Sequence, residues 1–196
     1  GPDPTDIKQG AAGDCYFVAS LGAIADVNTA YITGMFTDNG DDTYGVKMFY
    51  NGEAIYTTVN MQLPVNQDGT LGYSGGGNKN LNSEMWVALA EKAYAQFNQQ
   101  FPTNEGSSWS GENSYQAIEG GAAQPLKQIT GLNYKYYSGL FPDVSDGFDS
   151  GLYYSPNSAT YKQTIIDELN GGAIGWLGCF TNSYNGNKQE LVSGHA

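Results

Sequence analysis

Asn51-Gly52 stands between two runs rich in Thr, Tyr, Val and Ile, Thr43 to Tyr50 and Glu53 to Met61. No other feature of the chain constrains its fold as strongly. Asn-Gly tolerates the positive φ angles of a type I′ turn, so the two runs read as an antiparallel hairpin. Helical patterns flank it. From Cys15 to Ala25 the residues Phe17, Val18, Leu21, Ile24 and Ala25 form one apolar stripe. From Asn82 to Asn98 the residues Trp86, Leu89, Ala90, Ala93, Tyr94 and Phe97 form a second, with Asn82 or Ser83 as the cap. A hairpin set between amphipathic helices places the chain in the α+β class.

The rest is less regular. Gln67 to Leu81 and Pro102 to Glu112 read as loops, and a short helix is expected from Ser114 to Gly120-Gly121. Leu132 to Asn157 is weakly patterned and rich in Tyr, Gly, Asp and Ser. It reads as the boundary between a first lobe, 1–131, and the start of a second, 132–196. A helix is expected over Thr160 to Leu169, stopped by Gly171-Gly172, and a buried strand over Ala173 to Phe180. With 196 residues the chain can bury a core without disulfide staples. No apolar run approaches the roughly 20 residues that span a bilayer, so a membrane is not an expected partner. Gly1-Pro2 has the form of a pair left behind by a tag-removing protease.

Charge and scarcity narrow the chemistry. Eight Lys+Arg against 20 Asp+Glu give a net charge of −12, which disfavours nucleic acid because phosphate binding needs clustered cations. One histidine and two cysteines cannot build a Cys/His zinc finger. Cys15 follows the small-residue turn Gln9-Gly10-Ala11-Ala12-Gly13-Asp14 and opens a helix. The partial positive charge of a helix N-terminus favours the thiolate, the nucleophilic form of cysteine. The plain alternative is a small buried apolar residue. Any imidazole partner has to be His195, and a Cys early with a His late fits a nucleophile and base that meet in space. Gln9 stands where a side-chain amide could face an oxyanion beside the Cys15 N–H, although local sequence by itself favours an ordinary loop glutamine. Cys179 lies in an apolar run and reads as a buried structural thiol, with a disulfide to Cys15 as the alternative. The acidic turns at Asp38 to Asp42 and Asp143 to Asp149 lack the EF-hand pattern. Gly75-Gly76-Gly77 lacks the context of a phosphate loop.

These residues resemble the calpain-like cysteine proteases of the papain superfamily. Gln9 to Phe17 is similar to that family's Q-G-x-x-G-D-C-aromatic-apolar nucleophile motif. Glu84 to Ala95 is similar to its E-x-W-x-x-L-x-E-K-A-Y-A helix, and Ser114 to Gly121 to its S-Y-E-A-L-x-G-G stretch. Leu177-Gly178-Cys179 and Leu191 to Ala196 resemble the segments leading to and around its histidine. The resemblance implies a papain-like core of two lobes and hydrolysis of internal peptide bonds in protein or peptide substrates. It makes Cys15 the nucleophile, His195 the base and Gln9 an oxyanion donor.

The chain also departs from the family pattern. The family's third catalytic residue is an Asn beyond the histidine, and this sequence stops at Ala196. The resemblance therefore reads as a catalytic core cut short after the histidine, with the rest of the second lobe as an expected partner. Tyr16 replaces a Trp. Some members bind calcium through an Asp matching Asp6 and a Glu where this chain has Gln116, so no cofactor is required by the sequence and calcium is an open expectation. A non-catalytic protein-binding module and a cysteine acyltransferase are the alternative readings.

Overall fold

The computed structural model describes residues 1–75, 85–102, 108–121, 124–133 and 159–175. The chain divides into two compact units, Gly1–Tyr134 and Lys135–Ala196. The first holds helices α1 (Cys15–Val27), α2 (Thr29–Thr33), α3 (Trp86–Gln100) and α4 (Pro125–Thr130), with strands β1 (Phe36–Asp38), β2 (Thr43–Tyr50) and β3 (Glu53–Asn60). Short 3₁₀ turns cover Pro4–Asp6 and Gln116–Ile118. The second unit contributes α5, Ala159–Asn170. No helix among the described residues is long and apolar enough to cross a membrane.

The hairpin forms as its turn residues dictate. Asn51 and Gly52 take φ of 50° and 86°, and Tyr50 pairs with Glu53 directly across the turn. From there the register sets Met48 against Ile55, Val46 against Thr57 and Tyr44 against Val59. Side chains alternate across a pleated strand. Val46, Met48, Thr57 and Val59 accordingly share the buried face, while Tyr56 points to solvent on the other. β1 extends the sheet by pairing antiparallel with β2, in the order β1-β2-β3. The structure is α+β.

The core lies where α1 meets α3 and where α4 covers β2. Phe17 of α1 stacks on Tyr94 of α3 with ring centroids 4.1 Å apart, and Tyr94 lies 6.2 Å from Phe97. The Tyr94 hydroxyl donates to Gln128 Oε1 of α4 at 2.9 Å, so the buried phenol keeps its partner. α3 is enclosed on more than the expected stripe: Val87 to Glu91 and Ala93 to Ala95 are all buried. Its small residues let neighbouring elements approach, and its one enclosed carboxylate, Glu91, is carried inside with them.

Several expectations shift at their edges. α1 runs two residues past Ala25. The helix expected from Ser114 is only the 3₁₀ turn Gln116–Ile118. α3 starts at Trp86, with Met85 at its cap position, and the expected caps Asn82 and Ser83 lie outside the described residues. In the loop from Gln67, Leu71 forms an isolated bridge with Val65. α2, β1 and α4 carry patterns too short to be read from the sequence. Cys179, His195 and the expected strand beyond Gly175 lie outside the described residues.

Candidate active site

Cys15 is the first residue of α1, half-buried, and carries no disulfide among the described residues. The first bonds of the helix are made to Asp14, whose carbonyl accepts from Phe17 N–H at 2.8 Å and Val18 N–H at 3.2 Å. The side chain of Asp14 makes no capping bond, although aspartate favours that position.

The loop feeding into Cys15 is gripped from two sides. On one side Ala11 N–H donates to the Gly72 carbonyl at 3.2 Å, and Gly75 N–H donates to the Lys8 carbonyl at 2.8 Å. Gly10 presses so closely on Tyr73 that a Cβ there would lie 2.2 Å from the Tyr73 carbonyl carbon. Only glycine fits. On the other side Gly120 N–H donates to the Gly13 carbonyl at 3.0 Å.

The residue after Cys15 anchors the same region. Tyr16 is buried, and its hydroxyl donates to the Ile118 carbonyl at 2.7 Å. Its ring meets Tyr94 edge-on at 6.3 Å. A Cβ at Gly121 would fall 2.3 Å from the Tyr16 ring, so Gly120-Gly121 leaves the space that Tyr16 fills. Two motifs far apart in sequence, around Cys15 and from Ser114 to Gly121, therefore interlock through one aromatic side chain.

Gln9 is exposed on this loop, and its Nε2 donates to the Ala12 carbonyl at 2.8 Å. An amide nitrogen carries two donor hydrogens, so this bond orients the group and uses one of them. His195 lies outside the described residues. The structure puts Gln9 and Cys15 on one loop–helix junction.

A cluster that the sequence pattern did not single out starts at Asp14, the residue before Cys15. Asp14, Ser74 and Glu91 are each 0% exposed. Ser74 gives Glu91 two hydrogen bonds, N–H to Oε2 and hydroxyl to Oε1, both 2.8 Å. Among the described residues no donor group reaches either oxygen of Asp14. Burial, then the neighbouring charge of Glu91, pushes Asp14 up to about 9. Burial also raises Glu91, and the Ser74 bonds oppose that rise. Tyr115, stacked on Tyr73 with centroids 3.7 Å apart, is raised by burial and by the charge of Glu91. The available signal was a Glu inside a helix whose positions one turn away, Ala88 and Ala95, are small and apolar.

The calcium expectation rests on Asp6 and Gln116. Asp6 Oδ2 already accepts from Trp86 Nε1 at 2.9 Å and from Asp3 N–H at 2.8 Å. Gln116 is neutral and exposed at the start of its 3₁₀ turn. A hard cation that prefers several carboxylate oxygens is poorly matched by this pair. Among the described residues no three His, Cys, Asp or Glu side chains gather as a ligand group.

Comparison with known proteins brings these motifs together. The pattern described as "Calpain family cysteine protease" matches residues 1–196. The chain is 29% identical to the calpain-type cysteine protease DEK1 of Arabidopsis thaliana over 133 residues, 66% of this chain and 5% of that protein. It is 26% identical to calpain-8 of Mus musculus over 210 aligned residues, covering 100% of this chain and 25% of that protein. It is 39% identical to calpain-7 of Homo sapiens over 101 residues, 45% of this chain and 12% of that protein. The chain thus spans a quarter or less of each of these relatives. A match over its full length, through the Cys15 loop and the helix that braces it, shows that the chain belongs to the calpain family of cysteine proteases.

Proposed function

We propose that this chain is part of the catalytic core of a cysteine endopeptidase with Cys15 as nucleophile, His195 as its base and Gln9 as an oxyanion donor. The observation that carries the reading is the seating of Cys15. It opens a helix of 13 residues, half-exposed, on a loop held by backbone bonds on both flanks. A nucleophile needs both that access and that fixity.

In this reading His195 takes the Cys15 proton, and the thiolate attacks the carbonyl carbon of a peptide bond. The oxyanion that forms is held by the Cys15 N–H and by the second Nε2 hydrogen of Gln9, with the first fixed on the Ala12 carbonyl. His195 returns the proton to the leaving amine. Water then attacks the thioester, releases the carboxylic acid and restores the thiol. Gln9 and Cys15 belong to the first lobe and His195 to the second. Protein substrates follow from the family. The reaction so written runs on these three side chains and a water molecule.

The test is labelling with a peptidyl epoxide that alkylates papain-type thiols, read by intact mass and peptide mapping. The expected result is a single adduct on Cys15 that is absent from Cys15→Ser. A folded chain whose Cys15 stays unmodified overturns the assignment. Casein cleavage by the chain extended through the family's Asn segment, lost in Cys15→Ala, is the matching activity. Equal cleavage by the two, or none by either, favours a non-catalytic binding module.

A further inference from the structure

Asp14 precedes the nucleophile and has no role in the mechanism above, yet it is fully enclosed and receives no hydrogen bond from the described residues. Glu91 faces it from α3. The donors in this pocket are distributed unequally. Both hydrogens of Ser74, on nitrogen and on oxygen, go to Glu91. A carboxylate that accepts two short bonds is well placed to stay ionised. A carboxylate that accepts none, enclosed beside another, is not.

Among the described residues the surroundings offer Asp14 no compensating cation. The charges acting on it are Glu91 from α3 and Glu119 from the segment after the Gln116–Ile118 turn, both negative. The 71–75 loop contributes Ser74, which bonds Glu91, and the stretch before the turn contributes Tyr115, on which the charge of Asp14 acts. Cys15 is its neighbour on α1. An ionised Asp14 would put a negative charge on the residue next to the one on whose sulfur the reaction requires negative charge to form. It would also cancel part of the field of the helix N-terminus.

We propose that Asp14 is a protonated carboxylic acid that donates its hydrogen to the Glu91 carboxylate, and that its neutrality keeps negative charge away from the Cys15 thiolate. Asp14 is then a positioning residue. One proton joins the cap of α1 to α3, and through Ser74 to the loop that bears on Gly10. The direction of the Asp14 shift agrees with the assignment, because burial and the Glu91 charge both favour its acid form. The proposal rests on Cys15 being the nucleophile for its significance, but not for its protonation claim.

The experiment has two arms. Carbon-13 NMR of the intact chain follows the Asp14 carboxyl signal, assigned by its disappearance in Asp14→Asn. The expected result is an acid-form shift throughout pH 5 to 8. A carboxylate shift at pH 7 overturns the proposal whatever Cys15 does. The second arm is the pH profile of Cys15 alkylation by iodoacetamide. An asparagine side chain is neutral and its NH₂ can donate to Glu91, so Asp14→Asn should leave the midpoint within about 0.3 pH units of the unaltered chain. Removing a true carboxylate charge from the residue before Cys15 would move the midpoint down by about one unit or more. That displacement would also overturn the proposal. Cys15 reacting no faster than a free cysteine would count against the endopeptidase reading, and the carboxyl signal would still decide the state of Asp14.

Discussion

Raising the pH from 5 to 8 should weaken this fold through Asp14. In the unfolded chain an aspartate titrates near its ordinary 3.8, and in the folded chain burial and the charge of Glu91 hold Asp14 at about 9. The folded state therefore binds about one proton that the unfolded state has lost across that window. A raised folded value gives stability that is fully present below the unfolded value and drains away as pH climbs toward the folded one. The slope is about 1.4 kcal/mol per pH unit for each proton. Across the 3 units from pH 5 to 8 the ceiling is about 4 kcal/mol, and relaxation around a buried pair brings the expectation to about 2–4 kcal/mol. That is a large share of the roughly 5–15 kcal/mol typical of a domain. Urea unfolding at intervals from pH 5 to 8, on the chain and on Asp14→Asn, isolates the effect because the amide of the variant has no proton to exchange. With a slope in urea of about 2 kcal/mol/M, the midpoint of the unaltered chain should fall by about 1–2 M relative to the variant. Parallel midpoints, or a chain that gains on the variant as pH rises, would refute the reasoning.

The interlock around Cys15 yields further expectations. Tyr16→Phe leaves the Ile118 carbonyl without its buried donor and should cost about 1–2 kcal/mol by urea unfolding. Gly121→Ala drives a methyl into the Tyr16 ring and should cost about 1–3 kcal/mol, most of it recovered in the Tyr16→Ala background of a double-mutant cycle. Gly10→Ala forces the loop off the Tyr73 backbone and carries Gln9 with it. Epoxide labelling of Cys15 should then slow about tenfold to a hundredfold while circular dichroism stays unchanged. Gly52→Ala places a Cβ at φ 86° in the hairpin turn and should lower stability by about 1 kcal/mol.

What the sequence made legible follows from how local each signal is. Both inner ends of the hairpin, Tyr50 and Glu53, fall where Asn51-Gly52 puts them, because a two-residue turn fixes register by itself. α1 begins at Cys15 as its apolar stripe and the preceding small-residue turn indicate. α2, with 5 residues, and β1, with 3, are too short to show a period, and their placement comes from what they pack against. α4 had its signals, Pro125 at the start and Gly131 with φ 73° after the end, but only 6 residues between them. Within the candidate site, Cys15 and Gln9 stand out in the sequence as candidates, by their motif and by the turn that precedes the helix. Asp14 and Glu91 do not, because charged residues are ordinarily solvated. Their burial depends on α3 being enclosed around most of its circumference, which no stripe on a single helix reveals.

The grip on Gly10 also bears on how this site can vary. The surface that Gly10 meets is the main chain of Tyr73, while the ring of Tyr73 is stacked on Tyr115. One residue thus serves two neighbours through two separable parts of itself. The main-chain face is the same for every amino acid, so position 73 can change its side chain and still hold the loop that leads into Cys15. Position 10 has no such latitude. A library randomised at both should return glycine alone at 10 and a broad set at 73, with the cost of each change at 73 appearing in the stacking of Tyr115 and not in the seating of Cys15.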